Sequence, residues 1–523
     1  MNPHTSLPVG CACCPMSRRS FLKTGCACAG AAGAALFAGK TLAAERTGKL
    51  RLKVVYSLHA PVQPGPDWPN VGFDFRPVME KFTNAFTQAF PDMEFETAMA
   101  ANEDEAKAIL KADQKAGKDG PDGYIVYQLN CWNRIVQTLA TSDKPVLYAD
   151  FQYGGSGGFL VYTAAFLREN RSNVGFVASS RIEDHLAAVR CFPGVLSGKG
   201  GTFAEATARV RRAATAQPTA AGVQPDDVKT VSAAECVEKM KASRILAFLD
   251  QNTKPEAPYG IVPVVYLPFA ELNEAWEKAD KDATAAVADR WVKNAAVVEG
   301  AAPESIQAAA AMYLGMKEIL KRHDANAITI NCLGGFYGGH IHAYPCLGFH
   351  ELCNEGLVGA CECDVRSTST MVAFSALTGG RTGFISDPVV DTSKNAIIYA
   401  HCVAPNRAFG PGGAANPYQI LTHSEDRQGA SVRSVLPTGY MTTTIELGPD
   451  RKEILFHQGV AVDNDPDDRA CRTKLVVEPK GDIEKLFTMW DAYGWHRVTA
   501  YGDLREPVFA LADALGYKVC EEA

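Results

Sequence analysis

Glu362, Asp387 and His401 are the residues whose types and spacing best suit joint chemistry. The stretch from Cys346 to Cys402 reads as alternating strands and helices: a strand over 358–363, a helix over 364–378 stopped by Gly379 and Gly380, and strands over 382–386 and 396–400. This puts all three residues at or beside strand ends. In an open α/β sheet, ligands bind in the crevice beyond the carboxyl ends of the strands. Two carboxylates and an imidazole facing one cleft suit Mn²⁺ or another hard divalent cation such as Mg²⁺, with water positions left for the vicinal oxygens of a sugar. One carboxylate can then take a proton from a carbon beside a carbonyl while the other returns one next door.

The elements that must position them follow from periodicity. From residue 50 to about 190, short apolar runs alternate with amphipathic stretches, which predicts α/β units on a mainly parallel sheet. Strands are expected over 50–56, 123–127, 145–149 and 173–178, with helices over 75–90, 103–116 and 182–191. The run from Tyr153 to Gly158 lacks the lysine and spacing of a P-loop and reads as a flexible loop near a cleft. Residues 198–225 read as a connector or surface excursion. A second α/β region follows, with strands over 243–249 and 327–332 and a helix over 303–323. The last quarter alternates apolar and polar residues over 432–447 and 453–462 around Gly448-Pro449-Asp450, a β-hairpin pattern, and ends in two helices flanking a strand over 496–501.

Other residues carry competing readings. His401 is either a ligand or a hydrogen-bonded strand histidine. His423 is either a sugar contact or part of an exposed turn, and His340 and His342 read as loop histidines. Cys346, Cys353, Cys361 and Cys363 invite zinc, but Cys-X-Cys has the wrong pitch for a knuckle. Asp364 is expected to cap the following helix or to orient Glu362. A purely structural role for Glu362 and Asp387 is the alternative to catalysis.

The run Gly359-Ala360-Cys361-Glu362-Cys363-Asp364 to Thr370-Met371, then Leu377-Thr378-Gly379, Asp387-Pro388 and His401-Cys402, resembles the core of the L-fucose isomerase-like and L-arabinose isomerase family. Gly494-Trp495-His496 resembles that family's late Gly-X-His element. The resemblance implies that Glu362 and Asp387 are both metal ligands and acid/base catalysts, and that His496 is the third ligand. It also implies an aldose–ketose isomerase of pentoses or deoxyhexoses. The expected architecture is two Rossmann-like α/β domains with parallel sheets followed by a smaller β-rich, barrel-like domain, in trimers or hexamers. The expected boundaries are 1–44 for a leader, then 45–195, 196–385 and 386–523 for the three domains. The interval from Glu362 to Asp387 is one residue longer than the family pattern, and Trp495 is a bulky neighbour for a ligand.

Composition bounds the rest. The 523 residues, 47% of them hydrophobic, can bury several cores, and a net charge of −7 argues against nucleic acid as a partner. Ser17-Arg18-Arg19-Ser20-Phe21-Leu22-Lys23 followed by a weakly apolar Ala/Gly run is the pattern of a twin-arginine export leader, with cleavage expected near Ala43 or Ala44. That apolar run is too short to span a bilayer, and the mature chain is expected to be periplasmic or otherwise exported without membrane insertion. Five of the sixteen cysteines lie in the leader, and the rest are scattered unlike a disulfide framework. An exported carbohydrate-binding or sensing protein, and a redox or metal protein using the cysteines, are the competing function classes.

Overall fold

The computed structural model describes residues 48–219 and 222–523. The expected leader segment, with its paired arginines and five cysteines, lies outside the described residues.

Three layers of sheet organise the chain. The first is a five-stranded parallel sheet in the order β2-β1-β3-β4-β5, built from β1 (Leu50–Ser57), β2 (Met93–Ala100), β3 (Gly123–Gln128), β4 (Val146–Asp150) and β5 (Val174–Val177). Its inner strands β3 and β4 are buried along their whole length, as parallel strands covered on both faces must be. The edge strand β2 has half of its residues exposed and one buried, which is why its sequence does not read as a buried strand. The second sheet is parallel in the order β10-β9-β6-β7, from β6 (Ile245–Phe248), β7 (Val264–Leu267), β9 (Ala327–Ile330) and β10 (Val358–Ala360). Between β7 and β9 runs β8 (Val297–Val298), which joins β13 (Tyr418–Leu421) and β14 (Ser431–Ser434) in a small separate sheet.

The third layer is a closed antiparallel barrel of six strands: β11 (Phe384–Asp391), β12 (Ala396–His401), β15 (Met441–Gly448), β16 (Glu453–Asn464), β17 (Thr473–Pro479) and β18 (Arg497–Tyr501). The order β15-β18-β11-β12-β17-β16 closes through the β15–β16 hairpin, and β19 (Lys518–Glu521) lies parallel along β16. The two-residue period of β12 splits its side chains between cores. Ile398 and Ala400 pack with the second sheet, whereas Ile397 and Tyr399 pack with residues of the first. The barrel is thereby fixed to both parallel layers by apolar burial, the dominant favourable contribution to folding.

Two expectations need correction. Ser156 does not continue a loop but starts the Ser156–Arg168 helix. Gly154 and Gly155 serve close packing there, since a Cβ on Gly155 would sit 2.3 Å from the carbonyl oxygen of Gln128. The expected connector contains the Phe203–Ala214 helix, started by a full Thr202/Glu205 capping box. Arg211 of that helix is buried and pairs bidentately with Glu484 at 2.9 and 2.5 Å. Among the described residues, no helix is long and apolar enough to cross a membrane.

Candidate metal centre

Glu362 sits in the turn that follows β10. Helix Cys346–Asn354 crosses close beneath this strand, and a Cβ on Gly359 would approach the Cα of Phe349 to 2.7 Å, so only glycine fits. Glu362 and Cys363 both have left-handed backbone, with φ of 62° and 52°. Such conformations cost non-glycine residues energy and persist where the surroundings over-determine them, most often at functional sites. The next residue, Asp364, caps the Val365–Thr378 helix: its Oδ1 accepts the backbone N–H groups of Arg366 at 2.9 Å and Ser367 at 3.2 Å. This helix is buried nearly all round despite its hydroxyls. Thr368, Thr370 and Thr378 return theirs to carbonyls four residues back, at 2.6, 3.0 and 2.6 Å. Gly379, at φ 69°, ends the helix in the left-handed cap its sequence predicts.

The other three members come from neighbouring barrel strands. Asp387 lies within β11 opposite Ala400, His401 ends β12, and His496 immediately precedes β18. Asp387 was expected just past the end of a strand in an open α/β sheet. The strand instead runs on to Asp391 in the antiparallel barrel, so the crevice rule applies to Glu362 alone. The site is an edge shared by the second parallel sheet and the barrel.

There, one ligand atom each from Glu362, Asp387, His401 and His496 lies within 4.8 Å of all the others. The Nε2 of His496 is 3.1 Å from Asp387 Oδ1 and 3.5 Å from Glu362 Oε2. Adjacent donors of an octahedral ion are separated by about 3.0 Å, √2 times a metal–oxygen distance of about 2.1 Å, so the spacing suits one small divalent cation. His401 Nε2 is 3.9 Å from Asp387 Oδ2. Both imidazoles are 2% exposed, and the Nε2 atom of each is buried without a hydrogen-bond partner. Two such orphaned nitrogens aimed into a pair of carboxylates fit a group that the cluster is built to hold.

The two histidines differ in what they can offer. His496 Nδ1 is 2.8 Å from Asp364 Oδ2, and a carboxylate there only accepts, so neutral His496 carries its proton on Nδ1 and leaves the lone pair on Nε2. His401 Nδ1 accepts the backbone N–H of Cys402 at 2.9 Å, so neutral His401 carries its proton on Nε2 and faces the cluster as a donor. The sequence pointed to the capping role of Asp364, but its side chain orients His496 rather than Glu362. Burial pushes the His496 pKa down, yet Asp387, Glu362 and Asp364 together outweigh this and raise it well above the usual value. Burial likewise opposes ionisation of Asp364, but His496, Arg366 and backbone N–H groups bring its carboxyl to about 2. With no cation bound, the three carboxylates hold a proton on His496 in the place where a metal charge would sit.

The remaining candidates are elsewhere. His423 is buried and paired with Asp426 at 3.2 Å. Burial alone would lower its pKa, but Asp426, Cys402 and Glu425 raise it to about 9. The alternative of an exposed turn is therefore excluded for it. His340 and His342 are exposed, their rings against Phe269 and Trp276. The four cysteines weighed for zinc do not join any group of potential ligands found among the described residues. Two features near the site escaped the sequence. Trp132 meets Trp495 edge-on at 5.4 Å, and Trp495 in turn lies 5.3 Å from the His496 ring. Glu425 is buried, receives the Tyr337 hydroxyl at 2.8 Å, and is raised to about 8 chiefly by burial, with Asp67 and Glu362 adding to it. No local pattern signals either, because the partners are far apart along the chain.

No family model matches the chain. Among curated proteins it is similar to the sulfoquinovose isomerases of Priestia aryabhattai and Priestia megaterium, each 24% identical over 205 residues, 38% of this chain and 45% of theirs. It is also similar to that of Alkalicoccus urumqiensis, 26% identical over 161 residues, 30% of this chain and 36% of that protein. The chain thus spans less than half the length of these curated relatives. A solute-binding protein of an ABC transporter from Bacillus halodurans, solved with bound myo-inositol, aligns over 57% of this chain and 83% of its own at 11% identity and a TM-score of 0.18, too low to bear on fold or function.

Proposed function

We propose that the chain is a divalent-metal-dependent aldose–ketose isomerase acting on a pentose, a deoxyhexose or a modified relative of these sugars. The observation that carries this reading is the meeting of Glu362, Asp387 and the free nitrogen of His496 around one small volume. Those three residues would hold the ion, manganese or magnesium, which when bound supplies a charge that polarises the sugar carbonyl and lowers the energy of the enediolate. One of the two carboxylates removes the proton from C2 and its partner delivers a proton to C1, while the O2 hydroxyl proton passes to O1, so that the carbonyl moves from C1 to C2. Asp364 keeps His496 turned with Nε2 inward, and the Nε2–H of His401 donates to a substrate oxygen. The pair Trp132 and Trp495 walls the site with apolar surface, which strengthens each of these electrostatic contacts.

The named activity of the relatives supports the sugar and makes sulfoquinovose the first member of a test panel. Export through the twin-arginine route and assembly into trimers or hexamers belong to the same proposal, supported by the paired arginines and by the family resemblance. Mass spectrometry of the exported form and light scattering would test these two points. For the activity itself, mature protein with Mn²⁺ is mixed with each sugar in D₂O and followed by proton NMR. The C2 proton of at least one aldose should exchange, and Glu362→Gln should abolish exchange without unfolding the chain. Metal-loaded protein that exchanges no sugar of a broad panel would overturn the reading.

A further inference from the structure

We infer that Cys332 and Cys361 are a disulfide-forming pair that clamps the turn carrying Glu362. Both thiols are free and buried, 0% and 4% exposed, and their sulfurs are 2.8 Å apart. A covalent S–S bond is about 2.05 Å, so closure needs the two sulfurs to approach by less than about 1 Å. Cys361 directly follows β10, and Cys332 lies two residues past the end of its parallel partner β9. The register that sets Ala360 beside Thr329 places Cys361 beside Ile330, so the Cys332 side chain reaches it diagonally from the start of the next helix. Thr329 Oγ1 donates to the Cys361 carbonyl at 3.4 Å, and the Cys363 N–H to the Ile330 carbonyl at 3.0 Å, so both sides of the pair are held in place without the bond.

The consequence falls on Glu362, the next residue along, whose left-handed backbone needs external support. A covalent tie from Cys361 to the start of the Cys332–Tyr337 helix would fix that turn to the end of β9. The step is a thiol–disulfide exchange with a small-molecule disulfide. Because both thiols are buried, the exchange proceeds from a transient opening of the turn, in which one protein thiolate attacks a glutathione disulfide sulfur and expels one glutathione thiolate. The second protein sulfur then displaces the other glutathione from the mixed disulfide. Two electrons and two protons leave the protein, and two glutathione thiols are formed. The inference stands apart from the sugar reading, because its readout is a covalent bond and needs no turnover.

Folded protein purified under reducing conditions is incubated with glutathione disulfide, denatured, blocked with N-ethylmaleimide, digested without reductant and analysed by mass spectrometry. The expected result is loss of two maleimide labels and a peptide joining Cys332 to Cys361, two hydrogens lighter than its parts. Amide exchange over residues 361–364 should slow on oxidation of the wild type and stay unchanged in Cys332→Ser. Alkylation of both cysteines after oxidation, a bridge mapped to another pair of cysteines in place of this one, or unchanged exchange in the oxidised wild type would each overturn it.

Discussion

A neutral imidazole offers a metal only the nitrogen that lacks a proton, and the hydrogen bond on its other side decides which one that is. In this chain the rule divides His496 from His401 and gives each a separate test. Asp364→Asn keeps the shape of the side chain but presents an amide to His496 Nδ1, so the fixed tautomer is lost. We expect Mn²⁺ affinity to fall about 10- to 100-fold, measured by calorimetric titration. His401→Gln should leave that affinity within about twofold of the wild type and lower turnover instead, since this residue acts as a donor. A large loss of affinity in His401→Gln would place it among the ligands. The pH dependence follows from the raised pKa of His496. Its proton must leave before Nε2 can bind a cation, so affinity should decline as pH falls and binding should release a proton, read as a difference in calorimetric heat between buffers of unlike ionisation enthalpy. Of these residues, Glu362 and Asp387 were legible from type and spacing, and His496 through its Gly-Trp-His setting. The role of Asp364 was only half legible, because its partner lies 132 residues away and nothing local announces it.

At the scale of elements, the barrel strands β16 and β18 are tied together by Glu522, which follows β19. Glu522 is buried against Arg497, 2.6 and 3.1 Å away through both oxygens, and against His457 at 3.1 Å. Burial alone would raise its pKa, but Arg497 and His457 lower it from 4.5 to about 2. A folded-state value below the unfolded one contributes stability above about pH 4.5 that is lost as pH falls toward 2, here about 3 kcal/mol. Glu522→Gln leaves the Arg497 charge buried with its partner gone, so it should destabilise by about 3–5 kcal/mol at neutral pH and flatten that acid limb, which urea melts at several pH values would measure. An unchanged stability in Glu522→Gln would show that the pair contributes nothing to holding these strands together. The hairpin of β15 and β16 was legible because period-2 alternation flanks a Gly-Pro-Asp turn. The Ser156–Arg168 helix was not, since its glycines serve packing against Gln128 and hide the helical pattern. The terminal strand β19 also escaped, as four half-exposed residues carry no clear periodicity.

Over the whole molecule, two parallel layers and a β-rich third were legible from the change of period along the sequence. Closure of the barrel was not, because it depends on pairings such as that of β11 with β18, strands more than a hundred residues apart. The candidate centre draws Glu362 from the second sheet and its other members from the barrel, so ion binding should couple the stability of these two layers. Mass action predicts about 2.7 kcal/mol of added stability at a free Mn²⁺ concentration 100 times the dissociation constant. Thermal melts should therefore shift upward with Mn²⁺ in the wild type and hardly at all in Glu362→Gln, while an equal shift in both would place the ion elsewhere. The most direct test is anomalous diffraction from a Mn²⁺-soaked crystal at the manganese edge. The account predicts one strong peak within about 2.0–2.3 Å of an oxygen of Glu362, an oxygen of Asp387 and Nε2 of His496, with His401 outside bonding distance. A peak ligated by other residues, or none at full soak, would contradict it.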